Sequence, residues 1–183
     1  MSDRAQSTDA LAPTPGQTVG PFFHYALPYD GDSELVPRGA AGAVRLHGTV
    51  RDGAGAPVPD AILELWQADA AGEVVQQAGS LHRDGWTFTG FGRSATDAEG
   101  RYSFTTLVPG ESAPFFAITV FARGLLHRLF TRAYLPGASD AFLDGLDADR
   151  RSTLVATADG SGFRFDVRLQ GEDETVFLDF GDE

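Results

Sequence analysis

The sequence predicts an all-β fold, a β-sandwich with an extended N-terminal arm and short helical segments. Three observations point there. Apolar residues recur with period two in several short stretches, and Gly, Pro and Asp clusters punctuate them. The 183 residues include 14 Phe against one Met, which supplies a core of rigid aromatic rings in a chain long enough for one ordinary domain.

Residues 1–16 are rich in Thr, Ser, Asp, Ala and Pro without periodicity and read as an arm. The next run, Thr14 to Phe23, carries two X-Pro steps and two glycines, so its backbone is extended or turned and suits either a linker or a segment lying along another surface. From residue 44 the strand signals begin. Val44, Leu46, Gly48 and Val50 alternate with Arg45, His47 and Thr49, and Asp52-Gly53-Ala54-Gly55 turns the chain. Ala61 to Gln67 is the next strand, closed by Asp69-Ala70-Ala71-Gly72. Tyr102 to Leu107 follows the Asp97-Ala98-Glu99-Gly100 turn and stops at Val108-Pro109-Gly110. Phe115 to Ala122 is almost wholly apolar, as in a strand covered on both faces. Leu129 to Tyr134 follows. Ser139 to Leu154 holds a short helical turn starting near Ser139 or Asp140. Phe163, Phe165, Val167 and Leu169 point inward with Arg164, Asp166 and Arg168 outward, and Val176 to Phe180 is the closing strand. The organisation expected is an arm over residues 1–43 and a sandwich domain over 44–183.

Charge narrows the function. Asp and Glu number 26 against 14 cations, all of them arginine, for a net charge of -12. A nucleic acid or an anionic membrane needs a cationic face to release counterions, so both partner classes drop out. The lack of cysteine removes disulfides, thiolate nucleophiles, iron–sulfur clusters and cysteine-ligated zinc. No apolar stretch approaches the roughly 18 residues of a membrane helix, and Met1-Ser2-Asp3-Arg4 leads into no apolar signal core, so a cytoplasmic location is expected.

The usual catalytic constellations are thin. His24, His47, His82 and His127 are scattered and form no paired-ligand spacing, and each reads as a surface or hydrogen-bonded residue. No G-x-S-x-G elbow occurs, and Gly90-Phe91-Gly92-Arg93 lacks the rest of a phosphate loop. The carboxylates at Asp144, Asp147 and Asp149 and at Glu172 to Glu174 read as solvated faces. Arg123, Arg128 and Arg132 fall in or after two strands. Arg132, in Leu129-Phe130-Thr131-Arg132-Ala133-Tyr134, either pairs with an acid or aims its planar fork at a carboxylate-bearing ligand.

The stretch from Leu46 to Gly72, with Leu46-His47-Gly48-Thr49-Val50-Arg51-Asp52 and Glu64-Leu65-Trp66-Gln67-Ala68, closely resembles the signature region of the intradiol ring-cleavage dioxygenases. Thr14 to Pro21, Phe91 to Asp97 and Phe163 to Glu172 resemble the protocatechuate 3,4-dioxygenase branch, so the likeness runs over nearly the whole chain after the arm. It implies a β-sandwich, and an activity in which Fe(III), held by two tyrosines and two histidines, binds a catechol whose ring is opened by O2 between the hydroxylated carbons. Carried over residue by residue, the four ligand positions fall at Val74, Ser112, Phe115 and Ala117, and none suits ferric iron. The resemblance is therefore to the non-iron alpha member of an alpha–beta pair, in which the beta subunit bears the iron. It implies that Thr18, Gly20 and Pro21 lie across the wall of the partner's pocket and that Arg132 reaches the same pocket to meet an anionic substrate. It also places Phe22 where tyrosine is common. Two other readings stay open: a non-catalytic sandwich module that binds something else, and a self-sufficient enzyme with substitute ligands among Tyr102, Tyr134, His82 and His127.

Overall fold

In the computed structural model of the chain, which describes residues 18, 20, 22–75, 84, 86–160 and 162–181, two sheets face each other. The first holds β1 (Ala43–Arg51), β4 (Arg101–Leu107), β7 (Thr157–Asp159) and β8 (Gly162–Arg164) in the order β4-β1-β8-β7, with β9 (Val167–Arg168) also on β1. The second is β3-β2-β5-β6, built from β2 (Ile62–Trp66), β3 (Phe91–Ala95), β5 (Phe115–Phe121) and β6 (Leu129–Tyr134). Short helices α1 (Phe23–Ala26), α2 (Ala141–Asp144) and α3 (Ala148–Ser152) complete it.

The predicted alternation builds the core. Leu46 and Val50 of the first sheet meet Leu63, Leu65, Phe116, Ile118 and Val120 of the second, with Phe104, Phe165 and Val167 between them, all buried. Burial of this apolar face is the main favourable term in the fold. A smaller cluster of Tyr134, Leu143, Leu154 and Val176 lies with α2 against β6.

The three Asp-x-x-Gly turns share one geometry. Asp52, Asp69 and Asp97 each accept two backbone N–H groups on Oδ1, at the second and fourth residues beyond. Gly55, Gly72 and Gly100 each take a positive φ, between 74° and 84°, which glycine adopts without strain.

Four expectations change. Residues 163–169 do not form one uninterrupted strand, because the ladder breaks at Phe165 and Asp166: the Thr49 N–H donates to the Asp166 carboxylate, and the Phe165 carbonyl accepts from the Tyr102 hydroxyl at 2.6 Å. The inward set is nevertheless as predicted, since Phe163, Phe165, Val167 and Leu169 all pack on the core. Val176 to Phe180 is not a strand; Leu178 makes a single bridge to Phe130, because β6 pairs its remaining edge with residues 154–156 instead. β5 is fully covered only in its middle, with Phe115, Ala117 and Phe121 half-buried on the outer face. β3 and the small strand β7 were not predicted as strands, since β3 reads as Phe-Gly-Arg-Ser-Ala with polar residues and a glycine.

At Gly48 the 162–169 segment comes close against β1. A side chain there would collide with the Phe165 carbonyl, which is backbone and cannot swing away. Gly48→Ala is expected to lower unfolding stability by about 3 kcal/mol, and Tyr102→Phe by about 1–2 kcal/mol, measured as urea midpoints of the purified protein.

Candidate functional site

Alternation that puts one set of side chains in the core puts the other set on the outer face of β3-β2-β5-β6. One row across that face reads Phe91, Trp66, Ala117 and Arg132 by register, and Phe115 with Tyr134 forms the adjacent row on β5 and β6. Trp66 packs against Phe91 at a tilt, 4.6 Å between ring centroids, and remains 47% exposed.

Arg132 is the charge at the β6 side of this face, while β2 and β3 carry the paired Glu64 and Arg93. The Arg132 guanidinium lies 4.3 Å from the centroid of the Phe115 ring and 5.6 Å from that of Phe142 on α2. Its Nη1 donates to the Tyr134 hydroxyl at 3.0 Å, and that hydroxyl donates to Asp140 Oδ2 at 2.8 Å. Asp140 Oδ2 is also 3.5 Å from Nη1, while Oδ1 caps α2 by accepting the Leu143 N–H at 2.7 Å. Burial pushes the Tyr134 phenol up from its ordinary range, and the neighbouring Asp140 adds to this against the opposing pull of Arg132. The phenol therefore stays neutral and bridges the two charges. Burial alone would raise the Asp140 carboxyl, but the Leu143 N–H, the Tyr134 hydroxyl and Arg132 together hold it below the ordinary range.

The four positions to which the resemblance assigns iron ligands lie on β5 and in the loops before β5 and after β2. Phe115 and Ala117 point outward on β5, Val74 is 76% exposed in the loop after β2, and the Ser112 hydroxyl donates to the Gly72 carbonyl at 2.9 Å. Val, Phe and Ala carry no donor atom, and a neutral serine hydroxyl is a poor ligand for Fe(III), so this constellation does not fit the metal. Among the described residues no group of three or more His, Asp or Glu is placed to hold a metal ion.

The substitute ligands do not converge. Tyr102 is buried in the core and hydrogen-bonded to Phe165, and burial foremost, with the Asp166 charge behind it, drives its phenol pKa far upward. Tyr134 is engaged with Arg132 and Asp140, His127 is exposed in the turn between β5 and β6, and His82 lies outside the described residues. Arg123 pairs with Asp60 at 3.0 Å, and Arg128 lies over Phe130 at 4.9 Å. His47 meets Asp159 at 2.9 Å.

Of the residues implied to face a partner, Thr18 accepts the Gly124 N–H at 2.8 Å in the β5–β6 turn. That turn lies beyond Val120↔Leu129, three residue pairs along from Ala117↔Arg132, so this contact does not join Thr18 to Arg132. A side chain on Gly20 would meet nothing within 4 Å, and Phe22 is exposed. Pro21 lies outside the described residues. Reading the sequence missed Asp140 as a partner of Arg132 and noted it only as a helix start. The Thr-Arg-x-Tyr pattern placed Tyr134 beside Arg132 without showing which way either side chain would turn.

The family described as "Dioxygenase" matches residues 19–115. The chain is 42% identical to a protocatechuate 3,4-dioxygenase alpha chain of Burkholderia cepacia, over 92% of this chain and 98% of that one. It is 32% identical to a protocatechuate 3,4-dioxygenase beta chain of the same organism, over 91% of this chain and 80% of the other. Among solved structures, the dioxygenase domain of a dioxygenase–carbohydrate-binding fusion from Streptomyces sp. SirexAA-E is similar at 26% identity, with a TM-score of 0.56, covering 88% of this chain and all of that one.

A depressed carboxyl contributes stability above its unfolded pKa of about 4, and that contribution is lost as pH falls through the lower folded value. Asp140 is expected to make the protein more acid-labile below about pH 4, and Asp140→Asn, which still caps α2, to flatten that limb of the stability–pH profile measured by urea denaturation.

Proposed function

The chain belongs to the intradiol ring-cleavage dioxygenase family, and from this we propose that it is the non-iron alpha subunit of a protocatechuate 3,4-dioxygenase. With an iron-bearing beta subunit it would cleave 3,4-dihydroxybenzoate with O2 to 3-carboxy-cis,cis-muconate, a step of aromatic catabolism in the beta-ketoadipate pathway. The observation that carries this reading is the set Val74, Ser112, Phe115 and Ala117, which offers nothing better than a neutral serine hydroxyl to ferric iron, in a chain similar over nearly its full length to an alpha chain. No chemical step runs through a metal in this subunit.

In this reading the partner-contacting segment falls within residues 1–43 and the sandwich spans residues 44–183, with Leu35 of the former buried in the sandwich core and its N–H donating to the Thr105 carbonyl of β4 at 2.8 Å. Thr18, Gly20 and Pro21 line the wall of the partner's pocket, where a backbone without bulky side chains approaches an aromatic ligand closely. Arg132 supplies the positive charge. A guanidinium orients a carboxylate through paired N–H donors, so it attracts and holds protocatechuate by the group that does not react. The chain thus binds and orients, and Fe(III) on the partner supplies the ring-opening chemistry. The similarity to both alpha and beta chains supports two sandwiches of common build packing as a pair. Among the described residues no helix is long and apolar enough to cross a membrane, and a cytoplasmic location completes the reading. The alternative of a non-catalytic binding module is weighed against by the similarity to an alpha chain over 92% of this chain.

Expression alone and together with a beta subunit tests the assignment. Iron and protocatechuate-dependent oxygen uptake are expected only on co-expression, and either one in the isolated chain would overturn it. In the assembled enzyme Arg132→Ala is expected to raise KM for protocatechuate by about ten- to a hundredfold, more than it lowers kcat. An unchanged KM would remove Arg132 from substrate binding.

A further inference from the structure

The surroundings of Arg132 carry an inference that rests on the reading that this residue meets the substrate carboxylate. We infer that Phe115, Tyr134 and Asp140 are positioning residues that form a fixed seat for the Arg132 guanidinium, so that a lost iron-ligand position, Phe115, has become part of the substrate-recognition apparatus.

A free arginine on an open sheet face samples many rotamers, and ordering it on each binding event costs affinity. Here the order is built in. The ring of Phe115 takes the guanidinium face at 4.3 Å, a distance at which the aromatic quadrupole attracts a cation. Phe142 adds a second apolar surface from α2. In the plane of the guanidinium a short relay fixes the rotation: the α2 N-terminus holds Asp140, Asp140 holds the Tyr134 hydroxyl, and that hydroxyl accepts from Nη1.

The relay also explains why Asp140 does not cancel Arg132. A bidentate pair would occupy both edges of the fork, but Tyr134 stands between them and leaves the direct approach at 3.5 Å. Among the described residues the hydrogen-bond partners of this guanidinium all fall on Nη1, so the rest of the fork remains for a carboxylate, with the side chain 29% exposed. The aromatic seat and the missing ligand set belong together. A metal ion held from position 115 would stand beside the guanidinium as a second cation, and the two charges would repel. Phenylalanine at 115 removes the donor and supplies the π-face in one substitution.

The test uses the alpha subunit co-expressed with its beta subunit, with assembly and iron content checked for each variant. Tyr134→Phe and Phe115→Leu are each expected to raise KM for protocatechuate about three- to tenfold, with a smaller change in kcat. Phe115→Tyr, which keeps the ring, is expected to recover most of the loss seen with Phe115→Leu. Inhibition by catechol, the same diol without a carboxylate, is expected to stay at its parent strength in all of them. In an Arg132→Ala background the same changes are expected to add nothing further to KM. If Arg132→Ala raises KM while Tyr134→Phe and Phe115→Leu do not, the seat is wrong and the role of Arg132 stands. If Arg132→Ala leaves KM unchanged, the role of Arg132 falls and the seat with it. Should Phe115→Leu fail to assemble, Tyr134→Phe, which keeps its packed ring, decides the question alone.

Discussion

β1 is hydrogen-bonded along both edges, and one of its neighbours arrives from the opposite end of the chain. Thr49 bonds to Asp166 across 117 residues of sequence, and Gly48 allows the Phe165 carbonyl to come against the strand. Closing so long a loop costs entropy that only a large buried surface offsets, and the aromatic and aliphatic layer between the sheets supplies that surface. With this closure made, the first sheet forms a firm floor for the second. The outer face of the second sheet then holds its side chains at fixed spacing.

Strand β5 shows how one face of a strand can differ in chemistry from the other without disturbing such a fold. Phe116, Ile118 and Val120 face the core, and Phe115 and Ala117 face out. Because alternate residues serve opposite faces, the outward positions can change their side chains while the inward ones keep the packing. The outward surface is then open to another use, and the guanidinium of Arg132 with its aromatic and phenolic surroundings now occupies part of it.

The acidity of the chain bears on the same point. A net charge of -12 opposes the capture of an anion, yet many of the acids are tied up locally. Asp52, Asp69 and Asp97 hold turns, Asp60 pairs with Arg123, and Glu64 accepts from Arg93 at 3.1 Å on the outer face. Screening limits the reach of the exposed remainder to about 8–10 Å at ordinary ionic strength, so the positive field of a half-buried arginine can persist at close range despite the net charge.

Much of this protein was legible without coordinates. Period-two alternation identified the inward residues of β1 and the 163–169 segment, and the Asp-x-x-Gly spacing marked the three turns, because both are local consequences of backbone geometry. The identities Val74, Ser112, Phe115 and Ala117 likewise ruled out the family's metal set, since ligand chemistry resides in side-chain atoms. The tertiary structure decided what no local rule contains. It split the last long strand where Tyr102 takes the Phe165 carbonyl, reduced 176–180 to one bridge, and made a strand of the weakly patterned 91–95 by pairing it with β2. It also brought Phe115, Tyr134, Phe142 and Asp140 around Arg132. Those residues come from two strands, a helix and its cap, and their meeting depends on register and on where α2 packs, which are set by long-range burial and not by the neighbours of any one residue in the chain.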